Sequence, residues 1–175
     1  MSKRLYENKA NVKSGLVTGT QWDMMIKYLR DIGKVDIQSS NWGNYLDNTL
    51  TNLNGYYAKV DSTLSINTFK EIPNNNNTTS TALKDSSYIL LTTGSTEQVK
   101  KMNLYDVAGN LQEWTQETSY YANLNYNLDN TINSYILRGG SFWASGTTYS
   151  PCSRAGNFAP CTFTMYGFRV VLYLE

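Results

Sequence analysis

The chain carries one clearly patterned amphipathic helix near its N-terminus, and this helix limits the possible fold more than any other feature. Thr18 and Gln21 have the spacing of a capping box, which satisfies two backbone N–H groups at a helix start. An apolar stripe follows at positions i, i+3, i+4 and i+7, namely Trp22, Met25, Ile26 and Leu29. Gly33 is expected at the C′ position, where many helices end on glycine. The sequence therefore predicts a helix over residues 19–32 with its stripe in the core.

The rest of the chain favours short strands joined by long loops. Residues 88–91 form a short apolar run, and residues 135–142 predict a strand, a glycine corner and a second strand. Residues 115–134 are polar and predict a long surface excursion, while residues 143–166 lack periodicity. Residues 167–174 alternate and predict a buried terminal strand, one face of which carries Phe168, Val170, Leu172 and Leu174. The expected fold class is α+β, with a mixed, mostly antiparallel sheet, one or two helices and long loops.

Length and charge exclude several classes of protein. A chain of 175 residues can bury a real core, and no internal boundary is visible, so residues 1–175 are expected to form one domain. The formal net charge of +1 gives no electrostatic grip on nucleic acid. No apolar window is long enough to cross a membrane, and the first residues contain no signal-peptide core. We therefore expect no membrane insertion by this segment, which can be the C-terminal part of a longer exported protein.

Residue usage narrows the possible chemistry. The chain has no histidine, which removes the commonest general base and the commonest transition-metal ligand. Cys152 and Cys161 permit at most one internal disulfide. The 14 tyrosines, together with abundant Asn, Ser and Thr, suit an adaptable binding surface. The same composition also suits the strands of an ordinary β-rich domain, so it does not decide between the two.

The segment over residues 103–114 combines a tight turn with the start of a strand. Its two carboxylates, Asp106 and Glu113, lie on either side of a turn that presents backbone carbonyl groups. Oxygen ligands of this kind suit a hard cation such as calcium, although the spacing is not that of an EF-hand. The alternative is a turn with a surface acid and a tryptophan, Trp114, in the core.

Five motifs occur in order along the chain: TGTQW at 18–22, YDVAGNLQEW at 105–114, LRGGSF at 137–142, SRA at 153–155 and GFRVV at 167–171. The series resembles the formylglycine-generating enzyme (sulfatase-modifying factor) family, whose domain is a variant of the C-type lectin-like fold. The resemblance implies a structural calcium site, with ligands from the side chains of Asp106 and Glu113 and the carbonyls of Gly109 and Leu111.

The residues that carry out the known reactions of that family are missing from this chain. The copper-binding cysteine pair of the resembling enzymes falls near Ala144 and Tyr149, and neither is cysteine. The ergothioneine-type branch binds iron through histidines, of which the chain has none. We therefore predict no catalysis. The rival hypothesis is a copper-dependent oxidase of peptide cysteines that acts through Cys152 and Cys161, nine positions apart.

A third branch of the resemblance fits better, the variable proteins of diversity-generating retroelements. In these proteins the stretch between RGGS and GFR carries the diversified residues of a ligand-binding face, which here corresponds to residues 143–166. The expected contact residues are Trp143, Ser145, Thr148, Tyr149, Asn157, Phe158, Phe163, Met165 and Tyr166. Aromatic and methionine side chains in this set would act as anchors, and the polar ones as adaptable hydrogen-bonding groups. The arginines of the motifs, Arg138, Arg154 and Arg169, are expected to brace the scaffold.

The resemblance therefore implies a non-enzymatic module that binds a protein or glycan ligand at a surface, on a bacterial cell or a phage virion. Two other interpretations stay open at this point. The segment over residues 143–166 can be a loop without a partner, or the chain can be a carbohydrate-binding lectin. A lectin would need an open calcium ion, and no EPN- or QPD-like triplet is present to hold one.

Overall fold

The computed structural model describes residues 11–38, 41–73, 77–85, 87–120, 133–157 and 163–174. The helices are α1 (Gly19–Asp31) and α2 (Ser80–Lys84), with a 3₁₀ turn at Glu97–Val99. The strands are β1 (Val12–Leu16), β2 (Tyr56–Val60), β3 (Lys70–Glu71), β4 (Tyr88–Leu91), β5 (Lys100–Lys101), β6 (Leu104–Tyr105), β7 (Gln112–Tyr120), β8 (Asn133–Arg138), β9 (Ala155–Asn157), β10 (Tyr166–Phe168) and β11 (Val170–Leu174). The fold class is α+β, as predicted. No helix in the described ranges is long and apolar enough to cross a membrane.

The strands form small sheets that are mostly antiparallel. The largest has the order β10-β7-β8-β9, in which β10 runs parallel to β7 and the other two pairings are antiparallel. A second sheet has the antiparallel order β3-β2-β4, and β1 pairs antiparallel with β11. The chain therefore brings its first and last described strands together as neighbours.

Helix α1 forms where the sequence predicts it. The Thr18 N–H donates to Gln21 Oε1 at 2.9 Å, and the Gln21 N–H donates to Thr18 Oγ1 at 3.1 Å, so the capping box is complete. Of the predicted stripe, three residues are buried and the fourth packs against the same cluster: Trp22, Ile26 and Leu29, with Met25. The helix ends as predicted, with Ile32 as its C-cap and Gly33 at C′, although Lys34 and not Gly33 takes the left-handed conformation, with φ of 51°.

The described residues form three buried clusters, the smallest of which consists of Val60, Leu90 and Phe142. The first joins the α1 stripe to a loop over residues 42–45 and to Val107 and Ala108, and Trp22 also donates its indole N–H to the Pro151 carbonyl at 2.9 Å. The second lies around β4 and joins it to α2 and neighbouring loops, through Leu50, Leu53, Ile72, Leu83, Ile89, Leu91 and Val99. The predicted buried strand at residues 88–91 is thereby confirmed.

The glycine corner after β8 differs from the prediction. Gly139 and Gly140 have φ of +91° and +72°, which glycine adopts without strain. A Cβ on Gly140 would lie 2.1 Å from the Tyr149 carbonyl oxygen, so the backbone approach also requires glycine. No strand follows the corner: the chain enters a turn at Phe142, whose N–H donates to the Asn110 carbonyl at 3.0 Å.

The predicted single, buried terminal strand is wrong. Residues 166–174 form two strands that break at Arg169, because β10 pairs with β7 whereas β11 pairs with β1 in another sheet. Phe168 and Leu172, which were predicted to lie in a buried strand, are about half exposed, whereas Val171 packs on the core. The segment over residues 143–166, predicted to be irregular, contains strand β9. The predicted excursion at residues 115–134 is shorter, since β7 extends to Tyr120; residues 121–132 lie outside the described ranges.

The capping box gives a first test of the fold. Replacing the N-cap residue, Thr18→Ala, removes the acceptor for the Gln21 N–H, so we expect the free energy of unfolding to fall by about 1 kcal/mol. Urea denaturation followed by circular dichroism measures this change. Thr20→Ala is the matched control: Thr20 is exposed in the first turn of α1, and alanine there is expected to leave stability unchanged or slightly higher. Equal loss in both variants would contradict the assignment of the cap.

Candidate functional site

The turn that precedes β7 is fastened to two neighbouring segments. Asn110 has φ of 62° and its side chain pairs with the backbone of Leu91: the Leu91 N–H donates to Oδ1 and Nδ2 donates to the Leu91 carbonyl, both at 3.0 Å. Asn44 Nδ2 also donates to Asn110 Oδ1 at 3.0 Å. A Cβ on Gly109 would lie 2.6 Å from the Asn44 carbonyl oxygen, so this crossing requires glycine. These contacts fix the positions of Asp106 and Glu113 on either side of the turn.

Three of the four residues predicted as calcium ligands line one cavity of about 290 Å³. Asp106, Leu111 and Glu113 lie on its wall, and Gly109 does not. Arg169 shares the cavity and binds Glu113 in a bidentate manner, with Nε to Oε2 at 2.9 Å and Nη2 to Oε1 at 2.8 Å. The prediction that Arg169 braces the scaffold is therefore met by an ion pair between β7 and the end of β10.

The two carboxylates in this cavity are unfavourably placed for negative charge. Burial raises the pKa of Glu113 and that of Asp106, and in both cases Arg169 opposes the shift. Asp106 adds to the rise in the pKa of Glu113, because the two groups repel each other when ionised. Two carboxylates and one guanidinium leave a net charge of −1, which a hard cation would offset.

Few side-chain oxygens in this cavity are free to bind a cation. Asp106 Oδ2 accepts one hydrogen bond from the Gly94 N–H at 3.1 Å, and both carboxylate oxygens of Glu113 accept from Arg169. Within the part of the chain that the structure describes, no group of three or more Asp, Glu, Cys or His side chains could hold a metal ion. Calcium takes six to eight oxygens, so carbonyl groups and water would have to supply most of them.

A second cavity, the aromatic pocket, brings together five of the nine predicted contact residues. Its volume is about 260 Å³, and Trp143, Tyr149, Phe163, Met165 and Tyr166 lie on its wall. The exposed fractions of the three aromatic residues on its rim are 46% for Trp143, 39% for Tyr149 and 48% for Phe163. Three exposed rings around one cavity form a contiguous apolar patch, which is typical of a binding site, whereas a single exposed ring is not.

The four-stranded sheet forms the floor of the aromatic pocket. In the strand register, Tyr166 stands opposite Gln112, Trp114 opposite Leu137, and Leu137 opposite Ala155. Because alternate residues of a strand share one face, these side chains from four strands lie on the same side of the sheet. The floor could not be predicted from the sequence, because it depends on pairing between strands that are distant along the chain.

The remaining predicted contact residues are placed differently. Ser145 does not line the pocket; its hydroxyl donates to Asp47 Oδ2 at 2.6 Å, which holds the loop in place. Thr148 is exposed beside the pocket. Asn157 ends β9, but its side chain lies outside the described part of the structure, as does the whole of Phe158. These last two predictions are therefore untested.

Two charged residues that the sequence did not predict support residues 143–149, the loop that carries Trp143 and Tyr149 and is called the rim loop below. Asp47 accepts from the Ser145 hydroxyl and from the Gly146 N–H at 3.0 Å. Burial acts to raise the pKa of Asp47, but these hydrogen bonds outweigh it and the pKa is lowered overall. Lys84 Nζ lies at 3.0–3.3 Å from three carbonyl oxygens of the loop that contains Asp47, those of Tyr45, Leu46 and Asn48. No local sequence pattern points to these long-range contacts.

The other side of the sheet is braced by arginines, as predicted. Arg138 is buried in β8, donates to the Cys152 carbonyl at 2.9 Å and to the Ser153 carbonyl at 3.1 Å, and pairs with Asp23 of α1. Arg154 pairs with the same Asp23 and with Glu117 of β7, the latter at 2.7 Å. These ion pairs tie α1, β7 and β8 to the segment that leads into β9.

The cysteine hypothesis is tested only in part. Cys152 is half-buried, its thiol lies 3.4 Å from the Ile37 carbonyl oxygen, and burial raises its pKa, which disfavours the thiolate that soft metals bind. Cys161 lies outside the described residues, so whether the two sulfurs converge is untested. Ala144 and Tyr149, which the resemblance aligns with the family's cysteine pair, both line the aromatic pocket.

Comparisons with known proteins agree with this arrangement. The sequence profile of the sulfatase-modifying factor enzyme 1-like domain matches residues 17–174. Among solved structures, Treponema denticola variable protein 1 is similar, with a TM-score of 0.51 and 16% sequence identity, and so is CarF, with a TM-score of 0.53 and 16% identity. Each likeness covers 93% of this chain and 48% of the other, so the chain spans about half the length of these proteins.

No curated protein matches the chain in sequence. The likeness to the two solved structures, together with the observed α+β architecture, confirms the predicted C-type lectin-like fold in its formylglycine-generating enzyme form. Since the family profile spans nearly all of the described residues, the chain belongs to the sulfatase-modifying factor enzyme 1-like family.

Proposed function

We propose that the chain is a non-enzymatic binding module whose ligand face is the aromatic pocket and its rim. The observation that carries the proposal is the convergence of Trp143, Tyr149 and Phe163, all widely exposed, on one pocket above the four-stranded sheet. Exposed aromatic rings around a well-packed floor are typical of residues that dominate binding energy at protein interfaces. Their positions in loops on a fixed scaffold suit a surface whose side chains can change.

The absence of the family's catalytic groups supports binding over catalysis. Ala144 and Tyr149 take the places of the copper-binding cysteines, and neither side chain can bind copper as a thiolate does. The chain also lacks histidine for iron binding or general base catalysis. Cys152 is half-buried beside Arg138, which donates to its carbonyl, and burial raises the pKa of its thiol.

The likeness to Treponema denticola variable protein 1 supports a diversified face. In this proposal residues 143–166 vary among copies of the gene, while the sheet and helix that support them stay constant. The ligand is a protein or a glycan on a bacterial cell or a phage particle. Nucleic acid is not a ligand of the module. A calcium ion in the cavity of Asp106 and Glu113 would serve the scaffold rather than the ligand, since that cavity and the aromatic pocket have no lining residue in common.

Substitutions on the rim test the ligand face. We expect Trp143→Ala, Tyr149→Ala and Phe163→Ala each to weaken binding of the labelled chain to its target cells or virions by roughly tenfold or more, because each removes an aromatic anchor. Tyr28→Ala is the matched control, since Tyr28 is 44% exposed on α1 and is not among the residues that line the pocket. Melting temperatures of all four variants should stay close to that of the parent chain.

Two outcomes would contradict the proposed function. Rim variants that bind as well as the parent chain and as Tyr28→Ala would remove the pocket from the ligand face. Stoichiometric copper binding with turnover on a cysteine-containing peptide, both lost in Cys152→Ser, would establish the oxidase instead.

The encoding DNA offers an independent test of diversification. We expect a near-copy of the segment for residues 143–166 beside a reverse-transcriptase gene, differing from the coding segment mainly at adenines. Sequencing of the flanking DNA checks this. A near-copy that matches a segment other than residues 143–166 would move the variable face elsewhere.

Calcium titration tests the proposed structural ion. With calcium at about ten times its Kd, we expect the melting temperature at neutral pH to rise by roughly 3–6 °C. Asp106→Asn should reduce the rise, and Asp85→Asn, which changes an exposed carboxylate outside the cavity, should not. A melting temperature that responds to neither calcium nor chelator in the parent chain would show that the site does not bind the ion.

The same site gives a pH dependence with a definite sign. Because burial raises the pKa of Asp106 and of Glu113, the folded state holds these protons more tightly than the unfolded chain does. Without calcium, their contribution to stability therefore falls as pH rises from the ordinary carboxyl pKa to the raised one. Calcium competes with the protons, so its stabilising effect should grow over that rise, as thermal melts at a series of pH values would measure.

A further inference from the structure

The floor of the aromatic pocket carries two polar side chains, and the hydroxyl of one of them has no hydrogen-bond partner. Ser141 is 1% exposed and lines the pocket, and its hydroxyl oxygen is the unpartnered group. Gln112 is 7% exposed and also lines the pocket, so it adds a carboxamide to the floor. Buried polar groups are normally hydrogen-bonded, so the Ser141 hydroxyl needs an explanation. A ligand that supplies the missing partner is such an explanation.

The charge of the pocket limits what can enter it. The residues on its wall are all uncharged: Gln112, Leu137, Ser141, Trp143, Ala144, Tyr149, Ala155, Gly156, Phe163, Met165 and Tyr166. A charged group buried among them would lose its hydration without gaining an opposite charge, which is strongly unfavourable. The part of the ligand that enters is therefore uncharged, and it must both donate and accept hydrogen bonds, as a carboxamide does.

Size and ring geometry favour a side chain over a sugar. The volume of about 260 Å³ is below the range of roughly 300–1,000 Å³ that small-molecule sites occupy. Two rings on the pocket wall, Phe163 and Tyr166, meet edge to face with centroids 5.2 Å apart and planes at 79°. Rings so arranged form a cup with walls at steep angles instead of the flat platform on which a sugar ring can stack. A cup of this kind accepts another aromatic ring edge to face.

We propose that the aromatic pocket takes one uncharged aromatic side chain of a protein partner, together with the peptide group that adjoins it. The peptide C=O and N–H pair with the Gln112 carboxamide and the Ser141 hydroxyl, and the ring packs among Trp143, Tyr149 and Phe163. This inference rests on the proposed binding function and narrows its ligand from a protein or glycan to a protein. An aromatic anchor seated in a pocket is the usual centre of such an interface.

Model compounds test the ligand class directly. N-acetyl-tryptophan amide and N-acetyl-tyrosine amide are the probes, titrated into the isotope-labelled chain and followed by amide NMR shifts. Methyl glycosides of glucose, mannose and N-acetylglucosamine are the sugar comparators, and N-acetyl-aspartate amide is the charged one. We expect the aromatic amides to shift resonances of the pocket residues, and the other compounds to leave them unmoved.

Gln112→Leu tests the polar floor. It keeps the size of the side chain but removes the carboxamide, so the affinity for N-acetyl-tryptophan amide should fall about fivefold. The parent chain should prefer this amide to the corresponding methyl ester, and Gln112→Leu should lose that preference, which a merely structural effect on the fold would not remove. Ser141→Ala gives a second variant with the same expected loss, and Tyr28→Ala should bind as the parent chain does.

Each possible result decides the question. Binding of a methyl glycoside in the pocket, with no binding of the aromatic amides, would overturn the proposed ligand class and leave the binding function standing. Binding of none of the probes would also overturn it, and the rim variants would then judge the binding function separately. An amide preference that survives in both Gln112→Leu and Ser141→Ala would show that the floor does not read the peptide group.

Discussion

The architecture depends on one buried guanidinium, that of Arg138. It is 1% exposed, pairs with Asp23 of α1, donates to the carbonyls of Cys152 and Ser153, and lies 5.8 Å from the ring of Trp22. Its Nε has no partner, so the charge depends on the bonds of the two terminal nitrogens, and a buried charge without such partners would cost about 3–5 kcal/mol. Helix α1, strand β8 and the segment before β9 therefore have to meet at one place. Their contact fixes the position of the four-stranded sheet, and the opposite face of that sheet forms the floor of the aromatic pocket.

Predictions from the sequence succeed where the controlling contacts are local. The capping box and stripe of α1 are complete within a few residues, and the helix forms as predicted. The terminal strand fails because its course depends on partners far along the chain: Arg169 bonds Glu113, and β11 leaves the sheet of β10 to pair with β1. Alternation in the sequence cannot reveal a change of sheet, so it predicted one buried strand where Phe168 and Leu172 are in fact about half exposed.

The same distinction explains how much of the candidate site was predictable. Trp143, Tyr149, Phe163, Met165 and Tyr166 were predicted from motif order and residue type, and all line the pocket. Ser145 has a residue type that suits contact, but its hydroxyl is bound to Asp47, 98 positions away. Gln112 and Ser141 lie in family motifs, and from the sequence they were not predicted to contact a ligand. Only the pairing of the strands in the folded chain shows that they face the pocket.

The bonds that hold the rim loop leave its aromatic side chains free to vary. The loop is fixed through its backbone: the Leu46 N–H donates to the Ala144 carbonyl at 3.0 Å, the Gly146 N–H to Asp47, and the Tyr149 N–H to the Ser145 carbonyl at 2.9 Å. Backbone bonds of this kind survive a change of side chain, so the ring at position 143 or 149 can be replaced without loss of the loop's course. Specificity for a polar group of the ligand then depends on the floor, where Gln112 and the unpartnered Ser141 hydroxyl lie outside residues 143–166 and stay the same in every variant. With a constant polar floor, every variant would require a peptide group in its ligand. The rings at the rim could then change from variant to variant and select different partners.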